Sequence, residues 1–177
     1  MRREGEPRIR PFPERGGLAP MSKTTPATLA LARAGIVFEI VAYDYDPHAR
    51  RIGLQAAEAI GVLPRQVLKT LMAAVDGKPV CVVVPSDAEV SMKKLAVAFG
   101  GKSAAMMKPS DAERLTGYKV GGISPFGQRK PVPIAIDERA LQEERIFING
   151  GRRGLQISLK PADAQAVLKA RAASLAA

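Results

Sequence analysis

The spacing of apolar and polar positions changes repeatedly along the chain, and it predicts short strands interspersed with short helices. Alternating apolar residues, or apolar runs between turn residues, predict strands over 37–45, 66–75, 79–85, 104–107, 131–136, 145–149 and 155–159. Apolar residues at helical spacing behind a capping residue or a proline predict helices over 22–35, 53–60, 91–99, 109–115 and 161–172. This alternation favours a single-domain mixed α/β fold, in which helices surround a curved, barrel-like β-sheet.

One part of this pattern predicts a local topology. Asp76-Gly77 lies between two apolar runs, and this dipeptide strongly favours a two-residue hairpin turn. The run from Val80 to Val84 is apolar at every position, which is typical of a strand covered on both faces. We therefore expect a hairpin whose second strand lies in the centre of the sheet.

The first 20 residues differ in composition from the rest of the chain. They contain four prolines, five arginines and three glutamates but few aliphatic residues, so burial cannot offset the entropy lost on ordering them. We expect residues 1–20 to form a disordered or poorly ordered extension and residues 21–177 to form the domain. The formal charge is +10 for the chain and +8 without the extension, so the basic character belongs to the domain.

Composition narrows the possible classes of function. The chain has one cysteine, Cys81, and one histidine, His48, which excludes an intrachain disulfide and argues against a Cys/His metal cluster. No apolar run approaches the roughly 20 residues of a membrane span, and the amino-terminal segment lacks a signal-peptide pattern. These features predict a cytoplasmic protein without a metal or a cofactor.

The net positive charge gives information about the binding partner. It is compatible both with a polyanion such as RNA and with scattered surface lysines. Aromatic residues are only 5% of the chain and tryptophan is absent, which argues against a protein that binds single strands mainly by base stacking.

Three glycine-rich segments are candidates for ligand contact. In the first, 121–127, paired glycines let the backbone approach a phosphate or a developing oxyanion, although a plain turn between strands also explains them. The second, 150–154, places two arginines between glycines, which suits phosphate or carboxylate binding but also a solvated hairpin tip. The third, 100–102, follows a helix and is most simply its C-cap.

Lys69 is the most informative single residue, because it stands within an apolar strand-like stretch. It either lines a cleft, where it would anchor a carboxylate, a phosphate or a tRNA end, or lies on a solvated strand face. Lys93 and Lys94 begin a helix and either contact a tRNA backbone or form an ordinary solvated face. Cys81 is expected to be a buried structural thiol, and the lone His48 gives no basis for a Ser/His/Asp triad.

Several short motifs occur in a particular order, namely Thr25-Pro26-Ala27, Val67-Leu68-Lys69-Thr70-Leu71, Lys93-Lys94, Thr116-Gly117-Tyr118, Gly121-Gly122-Ile123-Ser124-Pro125-Phe126-Gly127, Ile136-Asp137 and Gly150-Gly151-Arg152-Arg153-Gly154. This ordered set resembles the bacterial YbaK-type Cys-tRNA(Pro) deacylases, whose superfamily includes the editing domain inserted in many bacterial prolyl-tRNA synthetases. The resemblance runs from about Ser22 to the C-terminal helix, and the run from Gly121 to Gly127 is its most specific part.

The resemblance implies the barrel-like mixed α/β fold of that family, with a cleft for the aminoacylated 3′ end of tRNA. It implies catalytic roles for Lys69, Gly121, Gly122 and Ser124. It also implies a set of substrate-binding positions, which are Tyr43, Ile52, Thr70, Pro125, Phe126, Gly127, Asn149, Gly150, Gly151 and Arg153. The basic residues expected to contact tRNA are Lys93, Lys94 and Arg152.

The resemblance also implies a mechanism in which the enzyme supplies no nucleophile. In cysteine-specific members the substrate thiol attacks its own ester and leaves as a cyclic thiolactone. Catalysis then consists of positioning and of dipolar stabilisation of the oxyanion. This mechanism agrees with a chain that offers neither a triad nor a metal site.

The chain departs from the family pattern at three positions. Family members often carry Ser and Asp where this chain has Asn149 and Gln156, and some carry Phe where it has Ile52. Asn and Gln form hydrogen bonds but carry no negative charge. Alanine or another small amino acid therefore stands as an alternative to cysteine.

Taken together, the sequence predicts a trans-editing deacylase of Cys-tRNA(Pro), with prolyl-tRNA synthetase as the partner that shares the tRNA. A non-catalytic tRNA-binding module on the same scaffold is an alternative, which would bind RNA with steep salt dependence and release no amino acid. A small-molecule or nucleotide-binding protein is a third hypothesis, which the charge of the domain disfavours.

Overall fold

The computed structural model describes residues 23–177. The extension predicted at 1–20 lies outside the described residues. Within the described range the helices are Pro26–Arg33 (α1), Ile52–Ile60 (α2), Met92–Ala98 (α3), Pro109–Thr116 (α4) and Pro161–Leu168 (α5). The strands are Glu39–Ala42 (β1), Val67–Val75 (β2), Lys78–Pro85 (β3), Ala104–Met106 (β4), Ile134–Asp137 (β5), Ile146–Arg152 (β6), Leu155–Leu159 (β7) and Arg171–Ala173 (β8).

All eight strands form one mixed sheet. Its order is β1-β7-β6-β2-β3-β5-β8, and β4 pairs with β2 beside this path. The β2–β6, β3–β5 and β5–β8 pairs are parallel, and the remaining pairs are antiparallel. The predicted single-domain mixed α/β fold is confirmed.

The predicted hairpin joins β2 to β3. Asp76 and Gly77 have φ values of 50° and 79°, so both central residues of the turn are left-handed, as a two-residue hairpin with the right-handed twist of its strands requires. The pairing runs without interruption from Val75–Lys78 to Leu68–Pro85. The prediction of this hairpin is confirmed at residue level.

The centre of the sheet is buried on both faces. Strand β3 lies between β2 and β5, as the apolar run from Val80 to Val84 predicts. Because side chains alternate along a strand, Cys81 and Val83 pack into one core with Leu68 and Met72 of β2. The side chains of Val80, Val82 and Val84 pack into a second core on the opposite face, with Leu95 of α3.

Helix α1 begins as its sequence predicts. Pro26 is its first residue, and the hydroxyl of Thr25 accepts a hydrogen bond of 3.1 Å from the backbone N–H of Thr28. Thr25 Oγ1 also donates to the carbonyl of Gly150 in β6. The helix cap therefore contacts the second glycine-rich segment.

Several predicted elements differ in extent from the structure. The strand predicted over 131–136 begins only at Ile134, and the helix predicted over 22–35 spans Pro26–Arg33. The helix predicted over 161–172 ends at Leu168, where Lys169 is left-handed with φ 50°, and the chain then forms β8. The turn predicted at 150–154 is wrong in its first half, because β6 continues through the glycines to Arg152. The strand predicted over 37–45 is reduced to Glu39–Ala42.

Candidate functional site

The second strand of the sheet lacks a neighbour along part of one edge. Its other edge pairs with β3 from Leu68 to Val75. On the open edge, β6 pairs only with Val67 and Leu68, and β4 pairs only from Ala73 onward. The two neighbours therefore diverge and leave a gap beside residues 69–72.

Backbone polar groups of β2 point into this gap. The carbonyl of Val67 faces β3, where it accepts a hydrogen bond of 2.8 Å from the N–H of Ser86. The carbonyl of Met72 faces the opposite edge, where it accepts a bond of 3.1 Å from Met107. Since the direction alternates along a strand, the N–H and C=O of Thr70 also point toward the gap, where no strand pairs with them.

A cavity of about 390 Å³ occupies the gap. It is bounded by the start of α2, by β2, by the segment from β4 into α4, by the first glycine-rich loop and by β6 with β7. Its lining residues are Arg50, Ile52, Gly53, Val67, Leu68, Lys69, Thr70, Leu71, Met72, Met106, Met107, Pro109, Ala112, Val120, Gly121, Ile123, Asn149 and Gln156.

Asn149 connects the two glycine-rich loops at the cavity wall. Its Nδ2 donates to the carbonyl of Gly121 at 3.2 Å. Its Oδ1 accepts from the N–H groups of Gly151 and Arg152 at 2.7 and 3.2 Å, across an irregularity in the pairing of β6 with β7. All the hydrogen-bonding groups of this amide except one N–H are therefore used to hold the loops together.

The first glycine-rich loop is packed too closely to accept a side chain. A Cβ on Gly122 would lie 2.9 Å from the backbone nitrogen of Arg153. Gly121 has φ 88°, and a Cβ there would lie 3.0 Å from the Tyr45 hydroxyl. Arg153 closes the loop from outside, since its Nε donates to the carbonyl of Val120 at 2.9 Å.

Lys69 is the cationic group of β2 at the cavity. Its side chain is 26% exposed, and its Nζ lies 3.9 Å from Oε1 of Glu89, which is 80% exposed. An ion pair of this length and exposure contributes little to stability. The ammonium is therefore available to an anionic or polarised group in the cavity.

Buried oxygens without donors lie beside Lys69. Thr70 Oγ1 and Gln156 Oε1 both line the cavity and have no hydrogen-bond partner among the described residues. The hydroxyl of Tyr43, which lies behind Gln156, also has none. Burial raises the pKa of the Tyr43 phenol, and the neighbouring Gln156 amide and Gly154 backbone offset this only in part.

Several of the predicted substrate and catalytic residues do not line the cavity but hold the first glycine-rich loop in place. Ser124 is fully buried, and its hydroxyl accepts a bond of 3.2 Å from the N–H of Phe126. The carbonyl of Phe126 accepts a bond of 2.6 Å from Tyr118. Gly127 packs on the backbone of Pro26, where an added Cβ would clash with the carbonyl oxygen. This half of the loop anchors the segment to α1.

The structure thus brings only part of the predicted set to the cavity wall. Lining residues from that set are Lys69, Gly121, Ile52, Thr70 and Asn149. The members that do not line it are Gly122, Ser124, Tyr43, Pro125, Phe126, Gly127, Gly150, Gly151 and Arg153, and the basic residues Lys93, Lys94 and Arg152. Lys93 and Lys94 are exposed on α3, and the ammonium of Lys94 donates to the carbonyl of Ala176 at 2.7 Å.

Sequence reasoning missed the wall formed by Met106, Met107, Pro109 and Ala112. These residues carry no polar chemistry, and they reach the cavity only because β4 pairs with the far end of β2. No signal in the sequence marks them, because the 50% exposure of Met106 in its strand is visible only in the structure.

The one cysteine, Cys81, and the one histidine, His48, do not line the cavity, so neither acts there as a nucleophile or a base. Cys81 is buried, and desolvation raises the pKa of its thiol to about 12, so the thiolate is absent at neutral pH. His48 is exposed after β1 and does not line the cavity. Residues 23–177 bring together no group of three metal-ligating side chains. None of the helices in that range has the length and apolarity that a membrane span requires.

Comparison with known proteins places this site in context. Residues 46–167 match the family model described as an aminoacyl-tRNA editing domain. The chain is 40% identical over 107 residues to EbsC of Enterococcus faecalis, named as a proposed Cys-tRNA(Pro)/Cys-tRNA(Cys) deacylase. That match covers 59% of this chain and 65% of EbsC, which is less than two thirds of the relative. YwhH of Bacillus subtilis, an uncharacterized protein, is 33% identical over 108 residues, which cover 60% of this chain and 68% of YwhH.

Solved structures share the fold at lower sequence identity. The crystal structure of a proposed trans-editing enzyme for prolyl-tRNA synthetase has a TM-score of 0.78 at 24% identity and covers 91% of this chain and 99% of its own. A hypothetical protein, APE2540, has a TM-score of 0.77 at 19% identity, with 86% and 100% covered. At these identities the likeness establishes the fold alone.

Proposed function

Because the chain belongs to the family of aminoacyl-tRNA editing domains, we propose that it removes a wrong amino acid from tRNA by cleaving the ester to the 3′-terminal ribose. The preferred substrate in this proposal is Cys-tRNA(Pro). One observation carries it: the gap beside β2 places the ammonium of Lys69 and the open backbone of Thr70 in one cavity. The name of EbsC supports cysteine as the amino acid.

The cavity suits a small amino acid rather than a large one. Its volume of about 390 Å³ lies at the lower end of the range for small-molecule sites. Apolar side chains such as Ile52, Leu68 and Met72 form much of the wall, and a few polar groups converge on it. This composition fits an uncharged side chain on an ester whose carbonyl needs polarisation.

The chemistry that these groups perform is stabilisation of developing charge. Attack on the ester carbonyl places negative charge on its oxygen, and preorganised donors stabilise that oxyanion strongly in a water-poor site. The N–H of Thr70 and the ammonium of Lys69 are the donors that we assign to this role, since both residues line the cavity. Gly121 brings backbone close to the same space, because no side chain fits there.

In the proposed reaction the nucleophile belongs to the substrate. The cysteinyl sulfur attacks its own carbonyl carbon, forming a C–S bond and a tetrahedral oxyanion. Collapse breaks the C–O bond to ribose, and the thiol proton ends on the ribose hydroxyl that leaves. The products are a cyclic thiolactone and uncharged tRNA, so atoms balance without a protein nucleophile or a metal.

A deacylase that uses water and removes alanine is the second candidate. The observation in its favour is that Asn149 and Gln156 are neutral, and that Asn149 is occupied in holding the loops. Water then replaces the thiol as nucleophile, and the same donors stabilise the oxyanion. The two candidates differ in which aminoacyl-tRNA is consumed.

We also propose prolyl-tRNA synthetase as the protein that shares the tRNA substrate. Support comes from the name of one structural neighbour, a proposed trans-editing enzyme for that synthetase. A pull-down with tRNA present and absent would test it, and failure of the synthetase to associate in either condition would contradict it.

The test of the proposed function is a deacylation assay on Cys-tRNA(Pro), Ala-tRNA(Pro) and Pro-tRNA(Pro). We expect selective loss of cysteine and capture of the thiolactone by an added amine. Loss of alanine with no effect on cysteine would favour the second candidate. No release from any of the three would contradict a deacylase of these substrates.

Lys69→Met is the matching variant, since it keeps the apolar stem and removes the ammonium. We expect its kcat/KM to fall by about a hundredfold or more, because a charged donor to the oxyanion is lost. Lys160→Met, at an exposed position outside the cavity, is the control. Equal activity of Lys69→Met and wild type, with both folded by circular dichroism, would overturn the role of Lys69.

A further inference from the structure

A second cavity adjoins the first. It has a volume of about 730 Å³ and lies between the far end of the β2–β3 hairpin, helix α4 and the chain at 129–130. Met106 and Met107 line both cavities, so the two spaces are neighbours at the end of β4. We call this second space the basic groove.

The groove carries an excess of positive charge. Its lining includes the cations Lys108, Arg114, Arg129 and Lys130 and one carboxylate, Asp111. The carboxylate already pairs with Arg114, at 3.4 Å. The other three cations form no ion pair within 4.0 Å with any described residue. The groove therefore presents three charges without local neutralisation.

Backbone contacts fix the main chain from which these cations project. The N–H groups of Arg129 and Lys130 donate to the carbonyls of Thr116 and Leu115 at 2.9 and 3.1 Å, which ties the segment to the end of α4. The guanidinium of Arg129 lies against Gly117, where a Cβ would be 3.4 Å from Nε. Lys108 is the N-cap of the same helix.

We propose that the basic groove binds the phosphodiester backbone of the RNA whose aminoacylated 3′ end occupies the first cavity. This inference rests on the proposed function. An RNA strand that leaves the first cavity past Met106 and Met107 enters the groove directly, and its phosphates meet Lys108, Arg129 and Lys130. Cations of this kind fix the position of a strand without reading its sequence.

This assignment differs from the one that the sequence suggests. Helix α3, which carries Lys93 and Lys94, lines neither cavity, and Lys94 is bound to the carbonyl of Ala176. The groove adjoins the site at Met106 and Met107, whereas no residue of α3 lines either cavity. We therefore choose the cations that bind RNA by their position next to the cavity and not by the clustering of lysines in the sequence.

The experiment compares two triple variants with the same change in charge. The groove variant carries Lys108→Gln, Arg129→Gln and Lys130→Gln. The control carries Lys23→Gln, Arg33→Gln and Lys160→Gln, at exposed positions outside both cavities. Binding to uncharged tRNA is measured over a range of salt concentrations, and cleavage is measured on aminoacyl-tRNA and on an aminoacyl ester of adenosine, which has no phosphate.

For the groove variant we expect the dissociation constant for tRNA to rise about tenfold or more. The slope of log K against log salt should fall by about 2, since each single-strand phosphate contact contributes about 0.7. Cleavage of the adenosine ester should be unchanged, because it makes no phosphate contact. The control variant should match the wild type in both measurements.

Equal losses in the two variants would overturn the groove, because they would reflect net charge alone. A groove variant that binds tRNA like the wild type would also overturn it. Cleavage of the adenosine ester by the wild type separates the two proposals. If the wild type cleaves the ester but the salt slope of the groove variant is unchanged, the deacylase is supported and the groove is contradicted. A reduced slope confined to the groove variant, without cleavage by the wild type, supports the groove and contradicts the deacylase.

Discussion

Two side-chain oxygens in the cavity, Thr70 Oγ1 and Gln156 Oε1, are buried without a donor among the described residues. A buried polar group left without a hydrogen bond costs about 1–3 kcal/mol. A substrate that brings a thiol, hydroxyl or ammonium donor would remove that cost on binding. These two oxygens therefore favour a ligand that carries hydrogen-bond donors over a purely apolar ligand.

Gln156→Leu tests this preference. It removes the acceptor with little change in volume, so we expect kcat/KM for the preferred aminoacyl-tRNA to fall about tenfold or more. Folding stability should stay the same or rise, because an unsatisfied carbonyl disappears.

Gln55→Leu is the matched control, since Gln55 Oε1 is also buried without a partner but does not line the cavity. We expect it to alter stability in the same direction and to leave kcat/KM unchanged. Steady-state kinetics and urea denaturation measure both quantities. Loss of activity in both variants to the same degree would contradict a substrate contact at Gln156.

At the scale of elements, the site depends on the contact between the first glycine-rich loop and the end of β6. Asn149 links them by hydrogen bonds, and the backbone of Gly122 packs directly on Arg152 and Arg153. Both contacts involve main-chain atoms, which move only if the strand or the loop moves. A small steric change here therefore shifts the cavity wall as a unit.

Gly122→Ala is expected to separate the two elements. Its Cβ would lie 2.9 Å from Arg153 N and 3.0 Å from Arg152 C, which are backbone atoms that cannot rotate away. We expect a loss of about 1–3 kcal/mol in unfolding free energy and a fall in kcat/KM of about tenfold or more, because small displacements of catalytic groups cost rate.

The control for this change is Gly35→Ala, where φ is 70° and a Cβ would meet no atom within 4 Å. Left-handed backbone alone costs an alanine about 1 kcal/mol, so stability should fall while kcat/KM stays the same. Thermal unfolding and the deacylation assay separate the two effects. A Gly122→Ala enzyme with full activity would show that the loop contact does not position the site.

The elements that could be predicted from sequence are those specified by local chemistry. Asp76-Gly77 fixes the β2–β3 hairpin because its turn requires two left-handed residues, and Thr25-Pro26 fixes the start of α1 through its cap. The end of α5 could not be predicted in this way. Lys169 turns left-handed without a glycine, and β8 forms because its residues pair with β5. That pairing joins residues 36 positions apart, such as Ala135 and Arg171, and no local pattern predicts it.

The site follows the same division. Lys69 and the glycine-rich loops stand out because their chemistry is unusual for their surroundings. A cleft follows from the family resemblance, but its place in the sheet could not be predicted, since it exists only where β6 and β4 leave the same edge of β2 at different points. Gln156 departs from the family pattern in the sequence, but its unsatisfied oxygen follows from packing in three dimensions.

At the scale of the whole molecule, the last residues of the chain tie separate parts of the fold together. The N–H groups of Leu175 and Ala176 donate to Oδ2 of Asp137, at 3.0 and 3.1 Å. The carbonyl of Leu175 accepts from the N–H of Ser91 at 2.8 Å, so the tail also holds the start of α3. Asp137 thereby joins β5, the chain terminus and the second core.

Asp137 should give the fold a characteristic dependence on pH. Burial alone would raise the pKa of its carboxyl, but hydrogen bonds from the backbone of Arg139 and Leu175, with the Arg139 side chain, outweigh this and leave the pKa below its usual range. A lowered pKa in the folded state means that the ionised group adds stability above its unfolded pKa of about 3.9 and loses it as pH falls through the folded value.

We therefore expect Asp137→Asn to lower the unfolding free energy by about 1–3 kcal/mol at pH 7. We expect this difference to be smaller at pH 3, because that pH lies below the unfolded pKa of about 3.9, where protonation favours the unfolded wild-type chain. Urea denaturation at both pH values measures it. Asp87→Asn, at an exposed carboxyl, is the control and should change stability little at either pH. A deficit for Asp137→Asn that is equal at both pH values would show that Asp137 acts through its shape, because only a contribution from its charge disappears on protonation.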